Sequence, residues 1–258
     1  MWKTVSNIIG ESLQALNVLM GSPDYPREFK KKINSAERFV NWGKESQNPL
    51  DYKEALSLIE KAPLTNATQL DILKILHLKA LSYIGIMSCK SSDMERFNQR
   101  IIKKYDSDEY MDQTINKISD RMKELQTIIS VSESGDIETL KSLLGDKKTL
   151  DVRPEEIILD ARKEYETVED SFIKKKSIKE NKNNEIKNFK TILADQVTEI
   201  QEKIISIIAE MDDLDDKLDT IKKENKNQIK DELNVYLQAT LNKLNNSGIP
   251  MKGNKGKK

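Results

Sequence analysis

Little in this chain turns a backbone. Its 258 residues include only 9 Gly and 6 Pro, whereas a sandwich or barrel needs a turn signal about every 8–12 residues. Aromatics make up 5% and hydrophobic residues 37%, low for a thick globular core. The one cysteine, Cys89, excludes an internal disulfide framework and suits a reducing compartment. With a single histidine, His77, the usual zinc ligand sets cannot be assembled. Neither sign of charge dominates: Lys+Arg and Asp+Glu stand at 43 each, so no global field draws nucleic acid. Apolar runs in the first 21 residues are too short to span a bilayer, and Glu11, Gln14 and Asn17 interrupt a signal-peptide core. These absences point to a cytoplasmic chain of long helices, each burying one narrow stripe.

What is present reads as all-α. A first helix is expected over about 3–20, with Val5, Ile8, Ile9, Leu13, Leu16 and Leu19 on one side. Gly21, Pro23 and Pro26 stop it. A second starts near Pro26 and ends at Gly43–Lys44. Asp51 is read as the cap of a third, disrupted by Pro63, and Thr65 or Asn66 as the start of a fourth. A short break is expected before a fifth, near Ser92 or Asp93.

A repeat is visible in these elements. Trp42-Gly43 is followed by Asp51, Ala55 and Ile59; Ile84-Gly85 is followed by Asp93, Phe97 and Ile101, each 42 positions after its counterpart. A glycine late in one helix lets the next approach closely, and an aspartate satisfies free N–H groups where that next helix begins. Gly43, Ala55, Ile59 and Ala62 fall where tetratricopeptide repeats have a glycine and small or apolar residues, and residues 36–104 resemble that family. The resemblance implies a concave groove for a partner peptide or helix. The second unit departs from the pattern, with Phe97 for a small residue and Lys104 for the last Ala, and the spacing exceeds the usual ~34. A plain helical bundle with two similar hairpins is the alternative reading.

Further along, Asp106 or Ser107 opens a helix whose Met111, Ile115, Ile118, Met122, Leu125 and Ile129 form a heptad-like seam. Gly135 stops it, a short helix ends at Gly145, and Pro154 begins another carrying Ile158, Ala161, Tyr165, Val168 and Phe172. The Lys- and Asn-rich stretch 174–190 is a solvated helix or a hairpin tip, with Asn181, Asn183 and Asn184 favouring the tip. Next comes a coiled-coil seam: Ile186, Leu193, Ile200, Ile207, Leu214 and Ile221 at d, with Lys190, Val197, Ile204, Met211 and Leu218 at a. A parallel homodimer would set Glu210 against Asp215 and Lys217 against Lys222, both like-charged. The seam is therefore expected to pair antiparallel, within the chain first and between two copies second. Asn225 and Gln228 break the pattern, and Ile229, Leu233, Leu237, Leu241 and Leu244 resume it with shifted phase. The expected domains are a helical-hairpin array over 1–145, an elongated antiparallel coiled-coil hairpin over 154–245 and a disordered basic tail over 246–258.

No catalytic pattern emerges: there is no phosphate-binding glycine loop and no nucleophile elbow. His77 and Cys89 are twelve apart on one helix, about 18 Å at ~1.5 Å per residue. No cofactor is implied, and the expected function is non-catalytic: a scaffold that binds a protein partner and spaces or oligomerises through its coil. Two alternatives are carried. Nucleic acid could meet the lysines of 174–190 and 252–258, although Phe189 is the only interleaved aromatic and Arg is absent. A membrane-associating helix is suggested by Ile205 and Ile208, which lie off the seam beside Ile204 and Ile207.

Overall fold

In a computed structural model, residues 27–62, 64, 67–145, 153–214 and 220–250 are described. The expected helix over 3–20 and the last eight residues lie outside them. Among the described residues the fold is all-helical, without a strand. The helices are α1 (Arg27–Ser46), α2 (Pro49–Glu60), α3 (Gln69–Lys104), α4 (Asp108–Ser134), α5 (Ile137–Leu144), α6 (Pro154–Asp212) and α7 (Thr220–Asn246). Contacts divide the chain into two compact units, Met1–Phe97 with Phe189–Lys258, and Asn98–Asn188. The expected boundary between 145 and 154 falls inside the second unit.

Local chemistry explains most ends. The side chain of Asn48 accepts from the Leu50 N–H at 3.1 Å, and Pro49 follows in the first turn. Asn48 therefore caps α2, and Asp51 lies inside its first turn, where its carboxylate accepts from Ser46 Oγ at 2.7 Å. Thr68 precedes α3 and exchanges hydrogen bonds with Asp71, its backbone N–H donating to Oδ2 at 2.7 Å. Thr65 and Asn66, the expected starters, lie outside the described residues. Ser107 caps α4 by accepting from the Tyr110 N–H, and Gly135 ends it at φ 74°. At the far end the Ile249 N–H donates to the Leu244 carbonyl at 3.2 Å with Gly248 at φ 77°, a Schellman closure. Ser247, Gly248 and buried Ile249, expected in the tail, thus finish α7 instead.

Three further expectations are corrected. The break before Ser92 is absent, because α3 runs unbroken for 36 residues. Serines 82 and 91 turn their hydroxyls back onto the Leu78 and Ser88 carbonyls, which lets polar residues sit in a buried helix. Asp93 therefore caps nothing, and the second hairpin of the repeat is not formed. The hairpin tip at 181–184 is also absent, because α6 runs through it; its asparagines are exposed while Lys179 and Lys182 are held by Asp112 and Asp108. Finally, the five-heptad seam does not continue to Ile221 on one helix. Helix α6 ends at Asp212, at the edge of the run Asp212, Asp213, Asp215, Asp216 and Asp219. Aspartate is a poor helix former and its charge opposes the carbonyl end of a helix.

In the first unit the core is fully buried. Phe29, Ile33, Ala36 and Val40 of α1, Ala55 and Ile59 of α2, and Leu73, Leu76, Leu78, Ala80 and Met87 of α3 are all buried. Phe97 of α3 stacks on Phe189 of α6, with centroids 4.0 Å apart and planes at 11°. Helix α7 runs back along the end of α6: Lys226 and Lys230 reach Asp212, and Lys190 lies beside Gly248. The α7 residues Lys226, Ile229, Leu233, Leu237, Thr240 and Leu244 are buried at steps of three and four.

The second unit is built mainly from α4 and the first part of α6, running antiparallel. Asp108 meets Lys182, Asp112 meets Lys179, Arg121 meets Glu164 and Glu133 meets Arg162. Helix α5 closes one end over a small core of Leu125, Ile128, Leu140 and Ala161.

Candidate functional site

The most specific arrangement lies in the first unit, where α1, α2 and α3 meet at Tyr52. The two glycines picked from the repeat both face its ring. A Cβ at Gly43 would come within 2.8 Å of the ring, and one at Gly85 within 2.2 Å. The sequence reading of close helix approach holds at both positions, but the two glycines clamp one tyrosine from opposite helices, where two successive hairpins were expected. Burial pushes the Tyr52 phenol up, reinforced by Cys89 and Asp51. Beside it, the Cys89 thiol donates to the Gln47 carbonyl at 3.3 Å. Gln47 is at φ 51°, the one non-glycine at positive φ among the described residues, so the thiol helps fix a turn that costs about 1–2 kcal/mol.

Beside this corner lies a partly buried set of charges, with Lys74 and His77 buried and Glu37 and Lys44 half-buried. Lys74 is 1% exposed and pairs with Glu37 at 3.1 Å. Burial brings Lys44 down to about 8, while Glu37 pulls it the other way. His77 is fully buried and held down to about 3, first by burial and then by Lys44 and Lys74. It is neutral at pH 7, and its Nδ1 has no hydrogen-bond partner. A base with no route to solvent cannot exchange a proton with a substrate. Since α3 is continuous, His77 and Cys89 stay about 18 Å apart at ~1.5 Å per residue. Burial also raises the Cys89 thiol, with Asp93 adding to it, so the nucleophilic thiolate is disfavoured. Among the described residues no group of three or more His, Cys, Asp or Glu could hold a metal ion.

The other residues picked from the sequence divide clearly. Ala55, Ile59, Ile84 and Phe97 are buried, while Trp42 is 53% exposed and lies edge-on to Phe39, with centroids 5.1 Å apart. Trp42 is therefore on the surface of α1 and outside the core of the corner. Of the seam, Leu193, Val197, Ile204, Ile207, Met211 and Leu214 are buried, and Ile186 and Ile200 are half-buried. Leu218 lies outside the described residues, and Ile221 is in the first turn of α7, where side chains are not described. What the sequence reading missed is the set Glu37, Lys44, Lys74 and Tyr52. Its signal was Lys74 and His77 three apart inside an otherwise apolar run, LDILKILHLKAL.

One surface feature weakens the nucleic-acid alternative. Phe189, the one aromatic among the lysines of 174–190, is stacked on Phe97 and offers no ring to a base. One stretch within Gln69–Ser134 is long and apolar enough to cross a membrane, with 78% of it buried in the fold; of the residues that suggested the membrane alternative, Ile205 is exposed and Ile208 half-buried. A groove of about 540 Å³ runs along α7, lined by residues that include Gln228, Val235 and Tyr236; its described lining comes from that one helix. Comparison with protein-family models, with curated proteins and with solved structures returned no match.

Proposed function

We propose that this chain is a non-catalytic protein-binding scaffold. Its first unit offers a helical surface to a partner peptide or helix, and the paired ends of α6 and α7 form an antiparallel coiled coil that spaces or holds it. The observation carrying this reading is Trp42, more than half exposed and braced by Phe39, above a corner packed too tightly to yield at Gly43 and Gly85. A large rigid side chain on a fixed surface is the kind that dominates binding energy at interfaces. The buried three-and-four steps on α7 and the buried seam on α6 support the coiled-coil part. The resemblance to tetratricopeptide repeats rests on the α1–α2 hairpin. A cytoplasmic location accompanies this reading, consistent with one buried free thiol.

The test is affinity capture from the native host with the full chain and with Trp42→Glu as baits. Truncation is the poorer design, because 189–258 belongs to the same unit as 1–97. A partner recovered by the parent should bind the variant at least about thirty-fold more weakly, with helicity and Tm unchanged. Equal recovery by both baits contradicts the assignment of this surface.

A further inference from the structure

The second unit leaves its apolar seam open. Over the part that α5 does not close, Ile115, Ile118 and Met122 of α4 and Phe172 and Ile178 of α6 are only half-buried, whereas Leu193, Val197, Ile204 and Ile207 in the first unit are buried. One partner helix can bury an a/d seam, but here the seam residues stay half-buried between α4 and α6, which leaves room for a further helix. The charges along α6 indicate which. Over 155–170 there are seven acids and two bases, and over 174–188 six bases and two acids. The sign changes at Phe172, inside the open part of the seam. Glu169, Asp170, Lys174 and Lys175 flank it and enter no ion pair among the described residues.

We propose that this face docks a second copy of the same chain, antiparallel, with Phe172 near Phe172, so that the acidic stretch of each copy lies along the basic stretch of the other. The two open seams close on each other as a four-helix arrangement. Parallel docking would place like charges side by side and is opposed. The apolar strip is about 15 Å long at ~1.5 Å per residue, and the charged stretches on either side extend the α6 contact to about 50 Å. Most of that contact is charged and exposed, so the dimer is weak and sensitive to salt.

The experiment is sedimentation of the full chain across protein concentration, at about 50 mM and about 500 mM salt. The parent, Glu169→Lys/Asp170→Lys, Lys174→Glu/Lys175→Glu and an equal mixture of the two variants are compared. The parent should dimerise, less at high salt. Each variant carries one sign of charge at all four positions and should associate at least about tenfold more weakly. The mixture should regain association at or above the parent level, which also shows that both variants are folded. A parent that is monomeric up to about 1 mM overturns the proposal and leaves the face to a different protein. Association that rises with salt, that neither variant weakens, or that mixing does not restore also overturns it.

Discussion

The two units use the same material differently. Both are built from helices with three-and-four apolar stripes. In the first, such stripes on α1, α3, α6 and α7 reach full burial, deep enough to enclose Lys74, His77 and Lys226. In the second, α4 and α6 carry equally regular stripes, but few of their residues reach full burial, Met111, Leu125, Ile128 and Ala161 among them, and cross-helix ion pairs line much of the rest. The difference teaches that a heptad-like stripe states how wide a helix's apolar face is, and leaves open how many neighbours cover it. Where neighbours are several, stability comes from burial; where there is one, it comes from weaker exposed pairs and an unfinished seam.

The largest test of that contrast is truncation of matched seam residues. Ile204→Ala, in the closed core, should cost about 3–4 kcal/mol in urea unfolding. Ile118→Ala, at a half-buried position in the open part of the seam, should cost about 1–2 kcal/mol. Equal costs would erase the distinction between the units. Next is Gly85→Ala, whose new methyl meets the Tyr52 ring at 2.2 Å; overpacking of this kind costs about 1–3 kcal/mol. Tyr52→Leu in the same chain should recover part of the loss, and no recovery would mean that the ring is not the obstacle.

A pH series sharpens the buried side of the comparison. His77 titrates near 3 when folded, against about 6.5 unfolded. The unfolded chain therefore binds the extra proton as pH falls below 6.5, and stability drops through that window. By pH 5 the loss is about 2 kcal/mol. His77→Leu should remove this part of the slope, seen as a smaller fall in Tm between pH 7 and pH 5. An unchanged slope would place the acid sensitivity in the carboxylates. The smallest effect belongs to the second unit's ion pairs: Arg121→Ala, losing Glu164 and Glu124, should cost less than about 1 kcal/mol and still less in high salt.

Much of the fold was legible where residues act locally. Ser107, Gly135, Gly145 and Pro154 mark helix ends because capping, positive φ and a missing N–H are properties of single positions. The close approach at Gly43 and Gly85 was legible too, since only a missing Cβ permits it. What failed depended on distant partners. The serines before Asp93 read as a break because their hydroxyls' return to the helix backbone leaves no mark in the sequence. The asparagines at 181–184 read as a tip because the acids that hold Lys179 and Lys182 lie about seventy positions earlier. Trp42 was picked for the repeat scaffold by residue type alone, and its side-chain direction on α1 is set by what α1 packs against. The partner of α6's first part, α4, was missed for the same reason.

The most direct test of the contrast between closed and open seams is amide hydrogen exchange on the full chain at low and high protein concentration. Amides of 73–87 and 193–211 should be strongly protected and independent of concentration. Those of 115–122 and 172–178 should exchange faster at low concentration and gain protection as concentration rises. Equal protection of the two sets at every concentration would contradict the account.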